Sequence, residues 1–325
     1  MKAVRIMIVG FGIIGKGLAQ TLLDKAQHLK ALGYDIKVVA VCELKGCAID
    51  DGGLDLKKLV EGRLKWEEKK TLDAIRDVDA DIVVELTPGN MNTGEPGLSH
   101  IRAALNARKN VATSNKSPLI IAYGELAALA KEMGVQLRFE ATVGGAIPVI
   151  NTCTSELKAN GIRNIYGIFN GTTNFILWKM SEEGVDFKTA LKEAQNLGFA
   201  ESNPDYDIKG IDTAAKVIIL ANSIMGRDLK LKDLKVTGIE GVTPEALELA
   251  KDYGYAIKLV GDVAAAEVSP RMIPVEHPLN VPGNLNAVLV EADTAGDITL
   301  IGAGAGPKET SSAILGDILE IADRL

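Results

Sequence analysis

The chain has 325 residues and 47% apolar content, enough for two ordinary cores rather than one small one. A formal net charge of −7, with no run of Lys and Arg, excludes a duplex-binding protein, which needs surplus cations to neutralise phosphates. Cys42, Cys47 and Cys153 are an odd number without metal-ligand spacing, so the expectation is no disulfide framework and a reducing compartment, the cytoplasm.

The N-terminal MKAVRIMIVGFGIIG has the basic start of a secretion signal, but Gly10, Gly12 and Gly15 interrupt its apolar run. No uninterrupted apolar stretch reaches membrane-spanning length. Residues 4–9 predict a buried parallel strand, residues 16–32 a helix with Leu18, Leu22 and Leu29 on one face, and residues 38–42 a second strand. Strand, glycine turn, helix and strand form a dinucleotide-binding unit. In it the first glycine permits the turn, the second lets backbone approach a pyrophosphate, and the third allows close helix packing. After the second strand, Glu43 sits one residue beyond the expected ribose-binding acid, a position held by Cys42. Lys45, Lys57 and Lys58 are near enough in sequence to meet a 2′-phosphate, so the cofactor reads as NAD(P).

Residues 81–86 predict a third strand, ending in Thr87, Pro88, Gly89 and Asn90 at the carboxyl edge where open α/β sheets bind ligands. A helix over 97–107, a strand over 110–113 and the lip residue Lys116 follow, then a helix over 123–133 and a strand over 136–141. Gly144, Gly145 and Pro148 break the alternation, which sets a domain boundary between 134 and 148. Beyond it the pattern predicts a helix over 147–159 and a strand over 162–169. Asn170-Gly-Thr-Thr then either binds an anion or caps the next helix. Helices over 176–183, 187–197 and 212–224, a helix over 243–251, strands over 256–264, 268–274, 287–292 and 297–301, and a last helix over 309–324 complete the chain. Asp212 and Lys216, four apart, share a helix face near Glu201, Asp205, Asp207 and Lys209. That acid-rich segment suits a substrate with an ammonium group, and a lysine there can exchange a proton with an oxygen in carbonyl–alcohol chemistry. His28, His100 and His277 are too scattered for a metal cluster or triad.

The chain resembles the homoserine dehydrogenase family over nearly its whole length. The resemblance rests on GFGIIGKG from Gly10, ELTPGNMNTGEPGLSHI from Glu85, TSNK ending at Lys116, EATVGGAIPVI from Glu140, GIFNGTTNFIL from Gly167, GFAESNPDYDIKGIDTAAK from Gly198 and GAGAG from Gly302. It implies an α/β protein: a Rossmann-like parallel-sheet domain over 1–140, completed by about 303–325, and a substrate-binding and dimerisation domain over 141–302 with a mainly antiparallel sheet. It implies reversible NAD(P)-dependent interconversion of L-homoserine and L-aspartate 4-semialdehyde, with Lys216 as proton donor and Lys116 assisting. Glu201 and Asp212 match substrate-binding carboxylates, and Gly10, Phe11, Gly12, Ile13, Ile14, Gly15, Thr87, Lys116, Gly198 and Gly306 match cofactor-contacting positions. Glu140, Val143, Gly145 and Ile147 match a monovalent-cation site for sodium or potassium, the last three through backbone carbonyls. The partner it implies besides the small-molecule substrate is a second copy of the chain.

Two alternatives stay open. An aspartate-semialdehyde dehydrogenase needs a thiolate nucleophile, and no cysteine sits in an electropositive loop. A non-catalytic nucleotide sensor would give no NAD(P) reduction with homoserine. Glu43→Ala is expected to improve the use of NADP over NAD, read as the ratio of kcat/KM for the two cofactors; an unchanged ratio would count against Glu43 as the ribose-reading acid. The sequence ends directly after the last predicted helix, and the expectation is no strong inhibition by threonine, which assays of purified enzyme with physiological threonine would check.

Overall fold

A computed structural model describes residues 1–325. The chain divides into two compact units, Met1–Thr142 with Gly306–Leu325, and Val143–Ala305. In chain order the first unit contains β1 (Lys2–Val9), α1 (Ile13–Ala31), β2 (Tyr34–Glu43), β3 (Gly46–Ile49), α2 (Leu56–Val60), α3 (Thr71–Asp77), β4 (Ile82–Glu85), α4 (Gly97–Asn106), β5 (Asn110–Thr113), α5 (Lys116–Met133) and β6 (Leu137–Arg138). The second contains α6 (Val149–Asn151), β7 (Ile162–Ile168), α7 (Gly171–Glu183), α8 (Phe187–Asn196), α9 (Asp205–Ile208), α10 (Ile211–Ser223), β8 (Lys235–Val236), α11 (Pro244–Asp252), β9 (Tyr255–Asp262), β10 (Glu267–Pro274), β11 (Leu285–Ala292) and β12 (Gly296–Ala303). The last helix, α12 (Pro307–Ala322), belongs to the first unit.

The first unit is built on a six-stranded sheet in the order β3-β2-β1-β4-β5-β6, parallel except where β2 and β3 form an antiparallel edge hairpin. Ile6, Met7 and Ile8 on β1 are fully buried, as a parallel strand covered on both faces requires. Leu18 and Leu22 of α1 and Ile314, Ile318 and Ile321 of α12 share one apolar cluster with β1. A side-chain cap starts α5, where Asn115 Oδ1 accepts the Ser117 N–H at 3.1 Å, and Gly134 closes the helix in a left-handed turn.

The second unit's sheet runs β12-β11-β7-β9-β10-β8 and is antiparallel apart from the β10–β8 pair. Residues 213–222 of α10 are all buried, so this helix is a core element rather than an amphipathic cover.

Three local expectations fail for identifiable reasons. The strand expected over 136–141 stops at Arg138, because the Thr142 N–H and Oγ1 both donate to the Phe139 carbonyl and Asp317 Oδ2 takes the Glu140 N–H, which together wind a 3₁₀ turn. The helix expected over 147–159 is one α-turn followed by a wide π-type turn over Thr152–Glu156, where Thr154 Oγ1 donates back to the Ile150 carbonyl. The cysteines also depart from expectation: Cys42 and Cys47 form a disulfide and only Cys153 is free. Sequence spacing treated them as independent, whereas the tight β2–β3 hairpin sets them directly opposite one another.

Lys258 on β9 is 3% exposed, with its ammonium donating to Asn174 Oδ1 at 2.8 Å and the Val281 carbonyl at 2.7 Å. Burial pushes its pKa down from 10.5 to about 8, against a weaker upward pull from Glu182. Between those two values the unfolded chain binds more protons than the folded one, so this group's contribution to stability rises with pH there and is least favourable below pH 8. Chemical denaturation of wild type and Lys258→Met is expected to give a stability difference that moves in favour of wild type by about 1.4 kcal/mol per pH unit between about pH 8 and 10.5. A flat difference would contradict the depressed value.

Candidate active site

In the first unit the carboxyl ends of β1, β4 and β5 open onto a cleft of about 900 Å³, lined by Gly10, Phe11, Gly12, Ile13, Ile14, Thr87 and Lys116 among others. Gly10 has φ +93°, and a Cβ there would lie 2.7 Å from the Leu86 carbonyl carbon, so no other residue allows this close passage of β1 past β4. At Gly12 a Cβ would meet nothing within 4 Å, which leaves the turn open to a ligand. Helix α1 begins there with no side-chain cap and no acid in its first turn, so its N–H groups remain for an anion. These features fit the pyrophosphate of a dinucleotide. Gly15 packs behind the turn, where a Cβ would sit 2.5 Å from the Gly10 carbonyl oxygen. Gly306 caps α12 in the same unit and Gly198 follows α8 in the second, and neither lines the cleft.

A buried carboxylate underlies the lip. Glu85, fully buried at the end of β4, accepts from the Thr87 N–H at 3.0 Å and from the Thr87 hydroxyl. Thr113 Oγ1 donates to the Glu85 carbonyl at 2.9 Å, and Asn115 Nδ2 donates to the Thr87 carbonyl at 3.0 Å. This network joins the β4 and β5 ends that present Thr87 and Lys116, and neither Glu85 nor Asn115 was singled out by sequence. At the β2 end, Glu43 and Lys45 line the cleft and pair at 3.3 Å. Lys57 and Lys58, the other expected phosphate partners, lie on α2 and are not part of the lining.

In the second unit Lys216 of α10 is 6% exposed. Its Nζ donates to the Phe169 carbonyl at 2.5 Å and to Asp212 Oδ2 at 2.8 Å. Asn170, which follows β7, caps α7 with its Oδ1 and donates from Nδ2 to both Asp207 Oδ1 at 2.7 Å and Asp212 Oδ2 at 3.0 Å. Burial, then the Asp212 charge, raises the Asp207 carboxyl above its ordinary range. Asp207 is therefore part of the lysine's surroundings, whereas Asp205 and Lys209 form an exposed pair at 2.6 Å. The Asn-Gly-Thr-Thr stretch carried the only sequence signal for Asn170, as an anion-binding turn or a helix cap, and capping is one of the two things it does. Glu201 is exposed between α8 and α9, its backbone carbonyl accepting from Gln195 Nε2, and no hydrogen bond or ion pair joins its carboxylate to Asp212 or Lys216.

Glu140 lies buried in the 3₁₀ turn of the first unit, where its N–H donates to Asp317 Oδ2 at 2.9 Å. Burial and the Glu140 charge raise the Asp317 carboxyl well above its ordinary range. Val143, Gly145 and Ile147 belong to the second unit, with Val143 and Ile147 buried and the Ile147 carbonyl accepting from the Val149 N–H at 2.9 Å. No group of three or more His, Cys, Asp or Glu side chains is placed to hold a metal ion.

The sequence matches two family profiles, the homoserine dehydrogenase NAD-binding domain over residues 10–140 and homoserine dehydrogenase over residues 148–319. It is 50% identical to the homoserine dehydrogenase of Methanocaldococcus jannaschii, across 97% of this chain and 98% of that one. A crystal structure from Archaeoglobus fulgidus, named for the same enzyme, superposes with a TM-score of 0.91 at 42% identity, covering 98% of this chain and 99% of that one. A hyperthermophilic archaeal homoserine dehydrogenase mutant, solved in complex with NADPH, superposes with a TM-score of 0.85 at 28% identity and covers 99% and 98% of the two chains. With both profiles matched in order and full-length relatives on either side of the comparison, the chain belongs to the homoserine dehydrogenase family.

Proposed function

We propose that Lys216 holds and exchanges the proton on the substrate oxygen in this family's reaction, with Lys116 assisting. The activity follows from family membership: an NAD(P)-dependent oxidoreductase that interconverts L-homoserine and L-aspartate 4-semialdehyde, a step in making threonine, methionine and isoleucine. The observation that carries the assignment is the anchoring of Lys216. Two of its ammonium hydrogens are committed to the Phe169 carbonyl and Asp212, which restricts the ammonium's rotation and leaves the third for a substrate oxygen. The nicotinamide, when bound, supplies or accepts the hydride. Lys216 gives its proton to the oxygen as aldehyde becomes alcohol and takes it back in the reverse direction.

Glu201 and Asp212 are the carboxylates assigned to the ammonium or hydroxyl of the substrate. The glycine turn with its neighbours Phe11, Ile13 and Ile14, together with Thr87 and Lys116, is assigned to the cofactor on the cleft lining, Gly198 and Gly306 are assigned to it on the family resemblance alone, and residues 1–140 with 303–325 form the domain that holds it. Residues 141–302 take the substrate and the partner. A sodium or potassium ion is assigned to Glu140 and the carbonyls of Val143, Gly145 and Ile147, a set of oxygen donors suited to a hard monovalent cation. The enzyme acts as a homodimer in the cytoplasm. Support for the dimer comes from Tyr255 and Met272, exposed apolar side chains on one face of the neighbouring strands β9 and β10. No helix is long and apolar enough to cross a membrane.

Lys216→Ala is expected to lower kcat by roughly 10²- to 10⁴-fold, while fluorescence titration gives an unchanged Kd for NADH or NADPH. Turnover within tenfold of wild type would remove Lys216 from the proton-transfer role.

A further inference from the structure

The Cys42–Cys47 disulfide closes the hairpin whose tip lines the cofactor cleft. Both cysteines are fully buried and directly opposed in the β2–β3 register, while Leu44 between them is fully exposed. The strand that carries Cys47 is four residues long and lies at the sheet edge, held by β2 on one side. On the other side Cys47 exchanges two backbone hydrogen bonds with Glu67, at 3.0 and 2.7 Å. The Cys42 carbonyl accepts the Gly10 N–H at 2.9 Å, which ties the same residue to the first glycine of the nucleotide turn.

Lys45 lies between these two anchors. Its ammonium pairs with Glu43 at 3.3 Å and stands 3.9 Å over the ring of Trp66. Glu43 follows Cys42, and Trp66 precedes the Glu67 that pairs with Cys47. The disulfide ties the Glu43 side of the hairpin to Cys47, whose backbone is in turn hydrogen-bonded to Glu67 beside Trp66, so the segments that flank Lys45 are connected through Cys47. In this position Lys45 offsets the Glu43 carboxylate at the β2 end, where the adenosine ribose of a dinucleotide is read. A ribose 2′-hydroxyl needs only an acceptor there. A 2′-phosphate needs the carboxylate offset and a cation within reach.

We propose that the Cys42–Cys47 disulfide is a positioning element for cofactor selection: closed, it holds Lys45 against Glu43 and so admits the 2′-phosphate of NADP; open, it releases Lys45 and disfavours NADP. The proposal rests on the cofactor occupying this cleft. Opening requires a dithiol reductant. One of its thiolates attacks a cysteine sulfur to give a mixed disulfide, and its second thiolate then displaces that cysteine. Two electrons pass to the Cys42–Cys47 pair, which takes up two protons, and the reductant becomes a cyclic disulfide.

The test compares steady-state kinetics of the oxidised enzyme, the enzyme treated with dithiothreitol, and the double variant Cys42→Ser, Cys47→Ser. Thiol titration in denaturant reports one free thiol before reduction and three after. The expected result is a KM for NADP at least fivefold higher on reduction, a KM for NAD changed less than twofold, and kcat within twofold. The double variant should match the reduced enzyme and ignore dithiothreitol. After removal of dithiothreitol, reoxidation by a small-molecule disulfide such as oxidised glutathione, which takes up the two electrons and two protons of the Cys42 and Cys47 thiols and leaves as two thiols, should restore the original KM. An unchanged ratio of the two KM values with three thiols titrated would overturn the proposal, as would an equal loss with both cofactors accompanied by a fall in kcat, the signature of a merely structural link. Failure of the oxidised wild type to bind either cofactor in a fluorescence titration would overturn the reading of the cleft itself, and the selection role with it.

Discussion

The second unit depends on burying a cation. An ammonium inside a protein core costs several kcal/mol unless its hydrogens find partners, and Lys216 meets that cost with one backbone carbonyl and one carboxylate. The carbonyl belongs to Phe169 at the end of β7 and the carboxylate to the first turn of its own helix, so β7 and α10 are held to one geometry. Asn170 extends the constraint. Its amide reaches Asp207 and Asp212 together while its carbonyl oxygen caps α7, which links α7, α9 and α10 through one side chain.

The same device appears in the first unit with the opposite sign. Glu85 is fully buried, and its partners come from Thr87 on its own strand's exit and Thr113 on the neighbouring strand. A buried carboxylate supplied with donors holds two strand ends in register and so presents Thr87 and Lys116 at the cleft. In each unit a buried charge beneath the site is satisfied by groups from several elements, which is how a chain builds rigid functional positions on otherwise apolar cores.

Much of the chain was legible because its signals are local. The apolar run of β1, the glycine turn, the period of α1 and the four-residue spacing of Asp212 and Lys216 each need only adjacent residues to be read. Other features required partners distant in sequence. The early end of β6 depends on Asp317, 177 residues beyond Glu140, and Asn170 acquires its second role only because α9 and α10 bring two carboxylates to it. Lys45, Lys57 and Lys58 looked equivalent as phosphate partners, yet only Lys45 faces the cleft, since Lys57 and Lys58 are carried away on α2.

Short-range patterns along the chain carry the nucleotide-binding turn, the alternating α/β order of the first unit, the strand-rich end of the second and, through the motif blocks, the enzyme family and with it the return of the last helix to the first domain. These depend on period, on glycine and on residue identity along short stretches. Packing settled which residues meet: the Cys42–Cys47 bond, the buried positions of Glu85 and Lys216, and the bridging of Asp207 and Asp212 by Asn170. Burial and pairing depend on where distant segments pack, and desolvation, which makes a charged group costly and its partners obligatory, exists only once that packing has formed.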